Sequence, residues 1–516
     1  MTWLGSYVKR IPITIDNTNV DSDLNHFPVA VPIGASVGQA SDDISEIFDD
    51  ITTNYKKIAV TLDDGETQIY VEVEKWDYAT ETALLWVSSS DLTVSSGSTT
   101  TLYIYFDNSQ PDNDSYIGDI GDSPAQNVWD SDFSFVCHMA NDPSSGMGAL
   151  KDSTGSNDGD AYNMESADLV TSDLGGYGIN FDGSPEYISV GDAAGVRAAN
   201  ECTLETLFNL DSVSGNNLVV SKNLGAGGTQ LLLRIDDGKL DSSIYGPDYL
   251  YFSSDMGTWS ASIDYYCAMI LEGASGHSVY QNGYLLSSGA TWSESRAPGG
   301  DLNIGRDNRN QDYINGRVFE IRLSHIVRSE AWVKATHYCL IDDLVSFGTT
   351  ETNYIEDVSL NLTAATYSLE DLKTFLTTTD GTVLTDVLLQ LAAFADSTED
   401  IKLNLEAGLE NLEDLPLSLE TWGQLFQDLP LSLEAQAVNL EDLKTWFRAV
   451  ATVLKDLGLY LNVTDGVSLE DLSVMLNVTD GIILRDASLN LKTVSATPAF
   501  RSVTAHRVSS VIHEVV

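Results

Sequence analysis

Seven histidines, four cysteines and 77 acidic residues are the groups with which this 516-residue chain could do chemistry. The histidines form no HExxH or His-x-His pair, so no zinc-hydrolase helix is present. There is no GxSxG elbow, no Walker loop and no GxGxxG turn. Cys137, Cys202, Cys267 and Cys339 lie 65, 65 and 72 residues apart, which no zinc pattern matches. Cys267, in YYCAMIL, and Cys339, in THYCLI, sit in apolar runs. They read as buried thiols, with disulfides as the alternative. Paired carboxylates are the remaining route to catalysis, because a glycoside hydrolase needs two of them about 5–10 Å apart across a cleft. Among 77 acids, such pairs single out nothing. Glu72 and Glu74, in EVEKW, share one strand face, which reads as a surface face. No enzymatic activity is expected.

Binding chemistry is better represented. Aromatic rings near loops, with polar neighbours, suit a sugar. The stretch from SIYGPDYLYFSSDMGTW to ATWSESR supplies Tyr245, Tyr249, Tyr251, Trp259 and Trp292, with Arg306 and Asp307 following. Hard oxygen ligands suit calcium, the one cofactor these residues point to. The acidic loop 107–122 lacks the EF-hand's Gly at place six with Glu at place twelve. Asp182, Asp236 and Asp237 are hairpin acids and read as turn formers before ligands.

The formal charge of −51 excludes nucleic acid as a partner, since like charges would meet the phosphates. It is the mark of a solvated surface in a salty habitat, or of patches that bind cations or repel acidic glycans. No window of eighteen apolar residues exists, so no spanning helix is expected. MTWLGSYVKRIPITID lacks an apolar leader core and a cleavage site, which fits a mature form or a protein assembled in a cytoplasm.

The elements that must position these groups are mostly strands. In residues 1–124, KRIPITID, FPVAVPI, KKIAVTL, IYVEVEKW, ALLWVS and TTLYIYF alternate or are β-branched, the pattern of a β-sandwich. Residues 125–352 continue with short strands and turns. Asp237–Gly238 and Asn282–Gly283 sit between strand-like flanks and predict two-residue hairpins. SEAWVKATHYCLI predicts one helix. The order VWDSDFSFVCHMANDPS, INFDGSPEYISVGD, FEIRLSHIVRSEAWVKATHYC resembles a LamG-like module, a jelly roll of the concanavalin A-like lectin and glucanase class. The residues before it resemble the domain of unknown function that commonly precedes such modules in microbial and viral surface proteins.

Residues 353–490 are a tandem repeat. Asp357, Asp371, Asp386, Asp400, Asp414, Asp428, Asp442, Asp456, Asp471 and Asp486 recur at intervals of 14 or 15, most followed by apolar-x-Leu-x-Leu. The apolar period of two argues for strands against a coiled coil, with 443–457 as a local helical exception. Asp380–Gly381, Asp465–Gly466 and Asp480–Gly481 read as turns, and each repeat Asp as a turn cap. The phrase is similar to viral fibre-shaft repeats, giving a fibre built as a triple β-spiral or a β-solenoid. Residues 491–516 are basic and β-prone, a capping or docking segment.

The chain is therefore expected to be mainly β: N-terminal β-sandwich, concanavalin A-like jelly roll, C-terminal β-repeat fibre. The resemblances imply a virion structural protein, a tail or head fibre or a decoration protein on the virion surface, whose jelly roll attaches to host glycan. They imply a homo-oligomer, a trimer for a spiral, partnered by other structural proteins. The alternatives are a secreted or cell-surface microbial adhesin and a glycan hydrolase.

Overall fold

The computed structural model describes residues 3–353, apart from 184, 193–200, 223–230, 245–250, 274–275, 290–299 and 308–309, and the backbone of most of 355–494. It divides into two compact units. One comprises Lys9–Glu351 with Met1–Gly5, the other Thr352–Val516 with Ser6–Val8. No helix among the described residues is long and apolar enough to cross a membrane.

All six strand patterns read in the first region form strands. They join one sheet in the order Val345–Phe347, Lys9–Ile15, Thr100–Phe106, Ile58–Thr61, Gln68–Asp77, Thr82–Ser88, Val29–Ile33. Gln68–Asp77 pairs on both sides, and a bulge between Val73 and Lys75 lets it bend. Ile11, Ile13, Val31, Leu85 and Ile104 meet in one core. The strand Val345–Phe347 reaches this sheet only after the chain has completed the second region.

The second region is a sandwich. An eight-stranded sheet centres on Asn315–Ser324, Glu201–Leu210 and Asp264–Glu272. A seven-stranded sheet runs Asp160–Tyr162, Tyr187–Ser189, Leu302–Ile304, Asn216–Lys222, Leu231–Asp236, Lys239–Ile244, Tyr251–Met256. Phe135, Phe181, Phe208, Val220, Leu233 and Ile321 fill the space between. The predicted hairpins are present: Asp236 faces Lys239 and Gln281 faces Tyr284, with positive φ at Asp237, Gly238, Asn282 and Gly283. The four cysteines are buried and none is in a disulfide, so the disulfide alternative falls.

The eight-stranded sheet is covered on both faces. Its outer side chains Leu207, Tyr266, Ile270 and Phe319 belong to the same core as the first sheet. That is why Glu201–Leu210 is buried along nearly its whole length instead of alternating. The predicted helix, Glu330–Leu340, packs into the same core, with Trp332 edge-on to Phe27 at 4.9 Å. Ser329 caps it by accepting from the Trp332 amide.

At Gly316 the neighbouring strand's main chain leaves no room for a side chain. The glycine's φ is +152°, and a Cβ there would lie 2.1 Å from the Asn209 carbonyl oxygen and 2.7 Å from Leu210 Cα. Both obstacles are main chain of a central strand and cannot swing away. Gly316→Ala is expected to cost about 2–3 kcal/mol or more. Urea unfolding measures it, and a loss below about 0.5 kcal/mol would show that the strands can part at that point.

In the second unit the repeat backbone is extended. Strands two repeats apart pair in parallel, with Asp357 opposite Asp386, Asp386 opposite Asp414, Asp371 opposite Asp400, Asp442 opposite Asp471 and Asp456 opposite Asp486. Residues 443–457 belong to the extended stretch Ser397–Thr464, so the local helix is not formed. A period of two outweighed the helix-forming composition there. The three Asp-Gly turns, the side chains of the repeat aspartates and residues 495–516 lie outside the described residues.

Candidate functional site

Asp160–Tyr162 is the edge strand of the seven-stranded sheet and pairs with Tyr187–Ser189, so Tyr162 stands directly opposite Tyr187. Ile188 and Ile304 point into the core, and alternation turns Tyr187, Ser189 and Asn303 to the outer face. Cross-strand neighbours on one face are about 5 Å apart at Cβ, so the two rings must meet. They stack with centroids 4.5 Å apart and planes 6° from parallel.

Leu302–Ile304 is the next strand, and the chain leaving it brings in Arg306. The guanidinium carbon lies 3.1 Å from the centre of the Tyr187 ring. A ring has two faces, so Tyr162 and Arg306 take opposite ones. Arg306 Nε and Nη2 donate to the Asn303 carboxamide at 3.4 Å, and Nη1 donates to Asn310. The Arg306 carbonyl accepts from Ser221 Oγ at 2.8 Å. Glu186, next to Tyr187 in the chain, is buried and accepts from the Asp182 amide. Burial pushes its carboxyl up to about 7. Among the described residues no strand lies beyond Tyr162, which is 41% exposed. The arrangement offers one aromatic face to an apolar ligand surface, with a guanidinium and carboxamides close by.

Of the residues expected at a binding site, only Arg306 falls here. Trp259 is a core residue: its ring stacks on Phe208 at 5.7 Å, and its indole N–H donates to the Met256 carbonyl. Flanking apolar strands claimed it. Asp307 is buried, and its carboxylate accepts from the Gln311 amide in a tight turn. Tyr245, Tyr249 and Trp292 lie outside the described residues, as does the side chain of Tyr251. Tyr162 and Tyr187 were missed. Their signal is faint: tyrosines at the outward position of two short strands, in DAYN and EYISV. In the acidic loop, Asp107 accepts from Ser109 and Gln110, while Lys56 and Lys57 hold Asp114 and Asp112. Among the described residues no group of three or more His, Cys, Asp or Glu is arranged to hold a metal ion.

A second cluster looks catalytic in composition. His138 Nδ1 lies 2.7 Å from Glu320 and 3.7 Å from Glu74, and its Nε2 is 3.3 Å from Glu72. Trp129 and Trp86 donate to Glu72 and Glu74, at 2.6 and 2.8 Å. Arg322 donates to Glu320 at 2.7 Å, and Tyr266 to Glu205 at 2.6 Å. The surface face read for Glu72 and Glu74 is thus corrected. They share a face, but the jelly roll covers it, and Glu72 and His138 have no exposed side chain. Acid–base chemistry needs a substrate within hydrogen-bond reach, and a site sealed between two sheets admits none. Burial pushes Glu74 up to about 7 despite His138. Burial alone would lower His138, but the charges and hydrogen bonds of Glu320 and Glu72 hold it well above its ordinary value. The cluster joins the two sheets.

Residues 182–334 match the concanavalin A-like lectin/glucanases superfamily. This stretch, which contains Tyr187 and Arg306, is similar to the jelly rolls of that class. Among solved structures, the chain is similar to the binding domain of Paraclostridial Mosquitocidal Protein 1: 12% identity, TM-score 0.32, 40% of this chain and 52% of that one. It is similar to a domain of an extracellular arabinanase from Geobacillus stearothermophilus in complex with arabinotriose: 13% identity, TM-score 0.32, 39% and 96% covered. It is also similar to the binding domain of botulinum neurotoxin serotype G: 11% identity, TM-score 0.33, 40% and 50% covered. The chain spans about half the length of the two toxin domains. No curated protein matches it.

Proposed function

We propose that this chain is an adhesive structural protein of a virion surface, a tail or head fibre or a decoration protein. Its jelly roll holds a host-surface glycan at the Tyr162–Tyr187 edge, and its acidic repeat forms a rod. The observation that carries the binding role is the stack of Tyr162, Tyr187 and Arg306 at the edge of a sheet. The rod rests on the in-chain parallel pairing of repeats two apart, which favours a β-solenoid over a triple spiral. A solenoid buries each lap against its neighbours without a partner chain. A trimer, if formed, then serves attachment and not folding. The protein binds sugar and does not cleave it.

Tyr162→Ala is expected to weaken glycan binding about tenfold, the equivalent of ~1.4 kcal/mol of lost stacking. Its thermal stability should hardly change, because the ring is partly exposed at an edge. Binding of the full chain to an immobilised glycan panel measures the first, and calorimetry the second. Unchanged binding would remove this edge as the site. Sugar released from any bound glycan would replace binding by hydrolysis. Immunogold labelling tests the location: label on purified particles is expected, and label confined to a cell envelope would overturn the virion reading. Sedimentation of the full chain gives the oligomer.

A further inference from the structure

We infer that the sugar held at the Tyr162–Tyr187 edge carries an anionic group, which Arg306 receives; this rests on the glycan-binding reading above. The argument starts from how this acidic chain uses its guanidiniums. Arg10 pairs with Glu351, Arg234 with Asp241, Arg322 with Glu320 and Arg328 with Asp130. Arg306 is half-buried and, among the described residues, has no carboxylate within ion-pair distance. Besides Tyr187, its N–H groups donate to two neutral carboxamides. In a protein with 77 acids and 26 basic side chains, a fixed and uncompensated cation is unusual.

Its placement is also costly to leave idle. Stacking on Tyr187 strips water from one face of the guanidinium, and Asn303 and Asn310 fix its orientation. Two of its hydrogen bonds are long, at 3.4 Å, so they align the fork without satisfying it. A planar fork held in this way matches a carboxylate or sulfate in two-pronged geometry. Tyr162 lies across Tyr187 from the guanidinium and presents its open face at the sheet edge. One sugar unit can lie on Tyr162 while the acidic group of that unit or of the next reaches Arg306. A neutral sugar would leave the cation facing no counter-charge. Net charge opposes this ligand at long range, so the local guanidinium must supply the selectivity.

The experiment uses the full chain against immobilised neutral, carboxylated and sulfated glycans, the carboxylated ones also as their methyl esters. Wild type is expected to bind a carboxylated glycan about tenfold or more tightly than its methyl ester, which keeps the ring and removes the charge. Arg306→Gln should erase that preference while retaining binding of the ester. Tyr162→Ala should weaken acid and ester alike. Sulfated glycans that bind as well as carboxylated ones extend the preference to anions in general, and sulfate-only binding replaces the carboxylate. If ester and acid bind equally and Tyr162→Ala weakens both, the anion inference is overturned and the glycan site stands. If no glycan binds, both readings fall.

Discussion

Glu320→Ala destabilises the unit of Lys9–Glu351 by about 3–5 kcal/mol. Glu320 is the one carboxylate that holds both buried cations: its two oxygens accept from His138 and Arg322, each at 2.7 Å. Burial would push Glu320 up, but these two cations hold its carboxyl below the ordinary range. Truncation leaves the two cations to share carboxylates farther off, without water to replace the one lost. The guanidinium lies 4.5 Å from the Trp86 ring centre and 5.1 Å from that of Trp129. Those contacts lose their alignment with it. A loss of that size is a large fraction of a typical domain's 5–15 kcal/mol. Glu320→Gln keeps the volume and one acceptor, and should cost less than the alanine. Denaturant unfolding of the full chain, followed by tryptophan fluorescence, reads both, since Trp86 and Trp129 flank His138. A cost below 1 kcal/mol for Glu320→Ala would mean that water enters the cluster and that the two sheets do not depend on it.

The same unit is expected to lose stability as pH rises through about 7. Glu74 has a folded carboxyl at about 7, above its unfolded range, chiefly through burial. A group raised on folding stabilises fully below its unfolded pKa, and that contribution is lost as pH passes the folded value. His138, also raised by the charges of Glu320 and Glu72, acts in the same sense. Asp342, raised by burial to about 6, and Glu186, at about 7, add to the fall. Glu320, lowered, works in the opposite sense and sets the acid limb, where its contribution is lost as pH drops. Stability therefore peaks in mildly acid solution. The loss from Glu74 alone, spread from about pH 4.5 to about pH 7, is on the order of 2–4 kcal/mol. Melting the full chain from pH 4 to 8 measures it, and Glu74→Gln should flatten the fall between about pH 5 and pH 7. An unfolding midpoint that rises steadily from about pH 5 to pH 7 would refute the assignment.

Much of this architecture was legible in the chain. The six alternating runs of the first region are strands, and both Asp-Gly and Asn-Gly dipeptides turn hairpins. SEAWVKATHYCLI is a helix, and the aspartate period reappears as Asp opposite Asp in the paired repeats. These are local matters: side-chain period, turn chemistry and repeat length act over a few residues, wherever the rest of the chain lies.

What the fold decided was coverage. Period two put Glu72 and Glu74 on one face, but only packing beneath Glu320 and Arg322 made that face interior. Val345–Phe347 closes a sheet begun by Lys9–Ile15, a pairing that no local pattern announces. Trp259 went inward because apolar strands surrounded it, while Tyr162 and Tyr187 became a partly exposed stack because one strand of the pair is an edge. A sequence determines which way a side chain points from its own strand. What waits on the other side is set by segments tens to hundreds of residues away, through contacts that exist only once the chain has folded.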